Sequence, residues 1–418
     1  MLNLITYKNN LRTLLFIPSF YGAVTWGIWL ILYTAELMNL DECSILAMVI
    51  YLIVELAFVL SIYVSLPHYR NYFEITRERT NLAGADTGNS PGLAMFLLVL
   101  HLVGFMGLVL YVVEFAKNLG GISGFFLALV NEAYAIRWEA ETSASVGTQL
   151  SYFGWIAISL TVYYIVRKKV SSYWLAVAVV QFLGNLLFID RTRPLWIIFT
   201  TLLIILPAAR ELSLNRISRW MIFSIIAAFM LFWAVAEWTG KTGYKGIYES
   251  SVLPGITQDF YVYGVSGFAY FNQVLQSNES PTYTPERILY PLFTFLSRFG
   301  VTGAPPSQIL EFYDVPFSTN VGTFLEPFYR DGGLLFVLIG ILIYSFGLDL
   351  AGLFVLNSGK PLALYAWANI CFTSFIGFFT PKIASFPVWL FVVLGFSVIC
   401  LGYMSAGPVH RQRKIGGQ

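Results

Sequence analysis

Apolar residues in this chain gather in runs of about twenty, long enough to cross a bilayer as helices. Ten such runs are read, at roughly 14–34, 44–66, 93–115, 148–166, 172–189, 194–208, 218–238, 333–356, 361–380 and 384–405. The sixth is short and bounded by Pro194 and Pro207, which predicts a tilted, broken or partly re-entrant segment. Irregular backbone at membrane depth is tolerated only against protein or a cavity. The first run is too long for a secretory signal and has no small-residue cleavage site behind it. The expectation is a single membrane domain over 1–418.

Composition narrows the class. The 418 residues are 57% hydrophobic, 17% aromatic and 11% charged, with mean hydropathy +0.69. An ordinary soluble domain carries about 25% charged residues, so there is too little polar material to cover a water-soluble protein of this length. A cytosolic enzyme, a disordered chain and a secreted disulfide scaffold are excluded, which leaves an all-α polytopic membrane protein. The net charge of +2 implies no nucleic-acid partner. Cys43, Cys371 and Cys400 stand far apart and read as small buried hydrophobes. No His/Asp/Glu group has metal-ligand spacing, and no Walker motif or GxGxxG follows a strand. Neither a metal nor a nucleotide cofactor is expected.

The cations set the orientation. Lys8, Arg12, Arg70, Arg77, Arg79, Arg167, Lys168, Lys169, Arg210, Arg216, Arg219, Lys360, Arg411, Arg413 and Lys414 fall on one set of connections. Short basic loops stay on the cytoplasmic side, so both termini are expected there and the alternate loops face outward. Two outward loops are long. The first, 117–147, contains NEAYAIRWEAET, an amphipathic stretch suited to the interface. The second, 239–332, lies between the seventh and eighth spans and is far longer than a connector, which points to function.

The second loop is rich in rings, including Tyr244, Tyr248, Tyr261, Tyr263, Tyr270, Phe271, Tyr283, Tyr290, Tyr313 and Tyr329. Such rings either stack on the apolar faces of sugars or form an aromatic belt at headgroup depth. Tyr290 and Tyr329, with Asn320, are the candidate sugar contacts. Arg191 and Arg193 stand in LLFIDRTRPLW at the outer end of two spans. Charges at membrane level are functional candidates, and a guanidinium fork suits phosphate. The alternative is an Asp190–Arg191 ion pair with Arg193 snorkelling. Arg287 and Arg330 complete the candidate phosphate-binding set. Asp331 reads either as a general base or as the N-cap of the eighth span, and Glu326 is a second candidate base.

Three stretches, DRTRPLWIIF, YGVSGFAYFNQVL through RILYPLFTFLSRFG, and TNVGTFLEPFYRDGG, resemble the Wzy-type O-antigen polymerases, the oligosaccharide repeat-unit polymerases of Gram-negative bacteria. Gly322 departs from that pattern, where family members often carry an aromatic. The resemblance implies an integral-membrane glycosyltransferase of the GT-C type in the bacterial inner membrane, with its active site facing the periplasm. Donor and acceptor would be undecaprenyl-diphosphate-linked oligosaccharides, within membrane lipid and alongside a polysaccharide chain-length regulator. Arg191, Arg193, Arg287 and Arg330 would stabilise the leaving diphosphate, and Asp331 or Glu326 would deprotonate the acceptor hydroxyl. An O-antigen ligase, acting on lipid A core, is the nearest alternative. A lipid-linked oligosaccharide flippase would show internal repeats, and none is found.

Overall fold

The computed structural model describes residues 12–38, 40–82, 91–132, 145–190, 192–208, part of 219–238, 256–277, 279–307, 310–315 and 318–405. It is 78% helical. In chain order the elements are α1 (Pro18–Thr34), α2 (Ile45–Leu82), α3 (Pro91–Asn118), α4 (Ile122–Asn131), α5 (Val146–Val166), α6 (Trp174–Asn185) and α7 (Thr192–Ala208). There follow α8 (Ile256–Gln276), α9 (Tyr290–Arg298), the antiparallel strand pair β1 (Tyr313–Asp314) and β2 (Ser318–Thr319), and α10 (Leu325–Leu342). A π turn at Ile343–Gly347 leads into α11 (Leu348–Leu356), and α12 (Pro361–Phe375) and α13 (Phe386–Ser405) close the described chain.

Among the described residues four stretches, Ile45–Tyr72, Pro91–Asn118, Val146–Val166 and Leu325–Leu356, are helices long and apolar enough to cross a membrane. Shorter apolar helices occupy Ile122–Asn131, Trp174–Phe188, Thr192–Pro207 and Phe386–Leu401. The chain is an all-α protein with the apolar helices of a membrane-embedded one. Helix α2 extends past the apolar run at 44–66, through Pro67 to Leu82, because hydropathy marks where apolar character ends and not where helix ends. One expectation is corrected, that the sixth run is broken. Helix α7 is continuous from Thr192 to Ala208. Pro194 stands in its first turn, where no intrahelical N–H partner is lost. The interruption comes earlier, where α6 tightens into a 3₁₀ turn at Leu186–Phe188 and Ile189 takes a left-handed φ of 56°.

Packing divides the chain into two compact units, residues 80–262 and residues 1–79 with 263–418. In the first, α3 and α5 meet along a seam of small residues. A Cβ placed on Gly107 would lie 2.3 Å from the Ser151 amide nitrogen, and one on Gly147 would lie 2.3 Å from that of Tyr111. Such close backbone approach is how helices associate where lipid removes the hydrophobic drive. Gly107→Val should therefore force the pair apart, with a cost of about 3 kcal/mol from overpacking. Thermal unfolding in detergent should show a clear fall, with Gly92→Ala unchanged because nothing lies within 4 Å of that position. An unshifted Gly107→Val would mean that the seam carries no stability. His101, the imidazole within α3, is buried, with Nε2 3.0 Å from the Thr161 hydroxyl, and it stacks on Trp174.

The second unit is built around α12, whose residues from Ala363 to Ser374 are all buried, against α1, α11 and α13. Its aromatic core centres on Trp26, with ring centroids 4.7 Å from Phe268 and 5.4 Å from Phe324. Phe324 in turn stacks on Tyr344 at 4.0 Å. The polar ends of these rings are satisfied, as buried Trp and Tyr require. The Trp26 indole donates to the Tyr51 carbonyl at 3.1 Å, and the Tyr51 hydroxyl donates to that of Phe268 at 2.6 Å. Helix α8 falls within the long loop read from sequence, yet from Tyr263 onward it belongs to this unit. Tyr261, Tyr270 and Phe271 are buried, so these three are neither sugar platforms nor a headgroup belt. The Asn272 side chain fastens α8 to the start of α2, accepting from the Ser44 amide at 2.9 Å and donating to the Glu42 carbonyl at 3.0 Å.

Candidate functional site

The second unit carries a charged cluster at the head of α10. Glu326 lies in the first turn, where an acid favours the helix dipole, and Arg330 follows one turn later. Helical geometry then fails at Gly332 (φ −153°, ψ 19°) and Gly333 (φ 62°, ψ −154°), and the positive φ at Gly333 suits glycine above other residues. Residues 325–331 thus form a short helix set off from the apolar segment beginning at Leu334. The exposed carbonyl of Arg330 accepts from the Thr282 amide at 2.9 Å.

Arg330 is the hub. Its Nη1 lies 2.6 Å from Glu279 Oε2 and its Nε 2.7 Å from Glu326 Oε1. The second pair is close but off the line of a hydrogen bond, so it acts by charge. Nη2 donates to the Tyr270 hydroxyl at 3.3 Å, and that hydroxyl donates to the Glu311 carbonyl at 3.1 Å. The Tyr313 hydroxyl donates to Glu279 Oε1 at 2.5 Å, with its ring edge-on to Tyr270. Burial, then the charge of Glu326, holds the Tyr270 phenol well above its ordinary range. Burial, then the hydrogen bond and charge of Glu279, raises that of Tyr313. Both phenols therefore stay protonated and donate. Glu326 is 1% exposed while Glu279 is 38% exposed, so one carboxylate is a fixed partner and the other faces outward.

Asp331 does not cap the helix that follows it. It is fully buried, and its Oδ2 accepts from the backbone amides of Ile288 at 2.9 Å and Arg287 at 3.0 Å, with Oδ1 3.3 Å from the latter. The reason is the glycine break: Asp331 ends a short helix rather than opening the span, and its side chain reaches the turn before α9. Arg287 is half-buried, and its Nε is buried with no hydrogen-bond partner. Tyr290, Tyr329 and Asn320 are half-buried. Tyr290 opens α9, the Tyr329 ring meets Phe271 edge-on at 6.1 Å, and Asn320 follows β2.

In the unit of residues 80–262, Arg193 does not snorkel. It is 7% exposed, and its guanidinium carbon lies 3.7 Å from the Phe188 ring centre, 5.3 Å from Tyr152 and 5.5 Å from Trp155. Its Nη1 donates to Ser151 Oγ at 3.3 Å, and its Nε lies 3.5 Å from Asp190 Oδ2. A cation in the first turn of a helix opposes the dipole, and the aromatic faces with Asp190 offset that. Asp190 also caps α7, accepting from the Thr192 amide and hydroxyl at 2.8 Å each. Arg191 lies outside the described residues, as do Tyr244 and Tyr248 and most of the 131–142 stretch.

Sequence reasoning missed Glu279, and it missed the tie from Arg330 to Tyr270 and Tyr313. It missed Asp349 as well. This acid on α11 is 2% exposed and is held by Ser19, Ser61 and Ser65. The cysteine reading holds for Cys371 alone, since Cys43 is half-buried and Cys400 exposed. Among the described residues no group of His, Cys, Asp or Glu could hold a metal ion. Comparisons with family models, with curated proteins and with solved structures return no match to this chain.

Proposed function

We propose that the chain is an integral-membrane glycosyltransferase that polymerises undecaprenyl-diphosphate-linked oligosaccharide repeat units at the periplasmic face of the bacterial inner membrane. The reading adds the finer points of the sequence analysis to the helical frame: ten spans, a GT-C-type arrangement, cytoplasmic termini and an outward active site. The observation that carries it is the Arg330 cluster, which stands at the head of an apolar helix within the stretch that resembles the polymerases. Departure of a lipid diphosphate builds negative charge, and guanidiniums already in place stabilise it. Glu279 occupies Arg330 in the way an anion would, two oxygens against a guanidinium and a phenol. Being the exposed partner, it is the one a diphosphate displaces. Arg287 brings an unused Nε donor. Arg191 and Arg193 remain candidates for the same role. Both oxygens of Asp331 face backbone amides, so Asp331 positions the turn before α9, and Glu326 is the remaining candidate for the proton of the acceptor hydroxyl.

Deletion of the gene should leave lipid A core capped with a single repeat, read as the loss of the long ladder on a gel. Core with no repeat at all would favour the ligase, and an unchanged ladder would sink both readings.

A further inference from the structure

Helix α9 presents its apolar residues outward. Leu292, Phe295 and Phe299 follow one another at i, i+3 and i+7, which places them on one face. They are 38%, 57% and 69% exposed, and Val301 beyond them is 67% exposed. Phe295 and Phe299 meet with centroids 5.0 Å apart, so the stripe is continuous. Phe293, which points away from the stripe, and Leu296, at its edge, are half-buried. A soluble surface helix points its apolar stripe at the core, and this one does the reverse.

We infer that this stripe is a membrane-surface anchor, with Leu292, Phe295, Phe299 and Val301 seated in the lipid interface beside the spans. Two further observations name lipid as the occupant. Helix α9 packs against α13, an apolar helix whose Phe386, Val393 and Leu401 are themselves exposed, so the stripe extends a surface already suited to acyl chains. Arg298 is exposed at the C-terminal end of the stripe, where a cation suits both the helix dipole and lipid phosphates. Asp331 fixes the turn immediately before α9. The anchor therefore sets the depth of the short helix that carries Glu326 and Arg330. The inference does not depend on the proposed reaction.

The test uses Phe299→Cys carrying a bimane label, in full-length protein with Cys43→Ser and Cys400→Ala, since Cys371 is fully buried. In liposomes of phosphatidylethanolamine and phosphatidylglycerol, lipids brominated near the carbonyl end of the acyl chain should remove most of the fluorescence, and aqueous iodide should remove little. Label at Thr284→Cys, on an exposed polar position of the same loop, should respond to iodide alone. Val301→Cys repeats the measurement at an independent site. Strong iodide quenching at Phe299 and Val301 would overturn the anchor. Silence to both quenchers would overturn it too, and would assign the stripe to a protein partner such as a second copy.

Discussion

Arg330→Met should abolish long-chain polymer and also unfold a large share of the protein, whereas Arg330→Lys should fold and still make little polymer. The two variants separate two duties of one side chain. Glu326 is 1% exposed and lies 2.7 Å from the guanidinium. Without a cation it becomes a lone buried carboxylate, a loss of about 3–5 kcal/mol. Glu279 adds less to that loss because it is 38% exposed and water takes over its hydrogen bonds. Glu326→Gln beside Arg330→Met should therefore return most of the stability, measured as thermal unfolding in detergent. Arg330→Lys keeps a charge for Glu326, but it cannot reach Glu326, Glu279 and Tyr270 at once, nor present a fork to two phosphate oxygens. Glycan ladders from complemented deletion cells give the second readout. Full-length ladders from Arg330→Lys would end the idea that a guanidinium fork grips the diphosphate. Normal unfolding of Arg330→Met would end the idea that it holds Glu326.

The contrast between fold and site follows from how far apart the interacting residues lie in the chain. An apolar run of bilayer length is a local property, and α3, α5 and α13 begin and end within a few residues of the runs that predict them. Helix ends beyond the apolar core are less visible, as the continuation of α2 through Pro67 shows. The candidate site is half local. Glu326, Arg330 and Asp331 fall in one turn and a half, so their clustering could be read directly. Their partners could not: Glu279 is 51 residues from Arg330, and Tyr270 is 60. Nothing in a single sequence distinguishes Tyr270, which ends in a charged network, from Tyr283, which is 75% exposed. Asp331 failed as an N-cap because the glycine pair was read as lying just ahead of a helix that begins there. The pair is in fact a break between a short helix and the apolar one, and that distinction needs the φ of 62° at Gly333.

Asp349→Ala should lower the unfolding temperature in detergent markedly, and Asp349→Asn should lower it less. The carboxylate seats three helices. Oδ1 accepts from the Ser19 amide at 2.8 Å, and Oδ2 accepts from the hydroxyls of Ser19 and Ser61 at 2.6 Å each and of Ser65 at 2.9 Å. The backbone carbonyl of Asp349 takes the Tyr69 hydroxyl at 2.8 Å. Ser19 lies in the first turn of α1, where its N–H has no intrahelical acceptor, so the acid also meets the positive end of that helix. Alanine removes the acceptor from all four donors. The hydroxyls can turn to carbonyls of their own helices, but the Ser19 amide cannot, and a buried donor left unmet costs about 1–3 kcal/mol. With the cavity added, a total of about 3 kcal/mol is expected. Asparagine keeps Oδ1 for the Ser19 amide and turns Oδ2 into a donor, which the serine hydroxyls can accept by rotating, so a loss of about 1 kcal/mol remains. Equal losses for the two variants would mean that charge rather than acceptor geometry holds α1, α2 and α11 together, and no loss in either would remove the seat from the fold's account. The same geometry explains why one unpaired acid is tolerated in an apolar run: its neighbours supply four donors in place of a cation, so the position asks for the shape of a carboxylate and three serines at fixed places on two other helices.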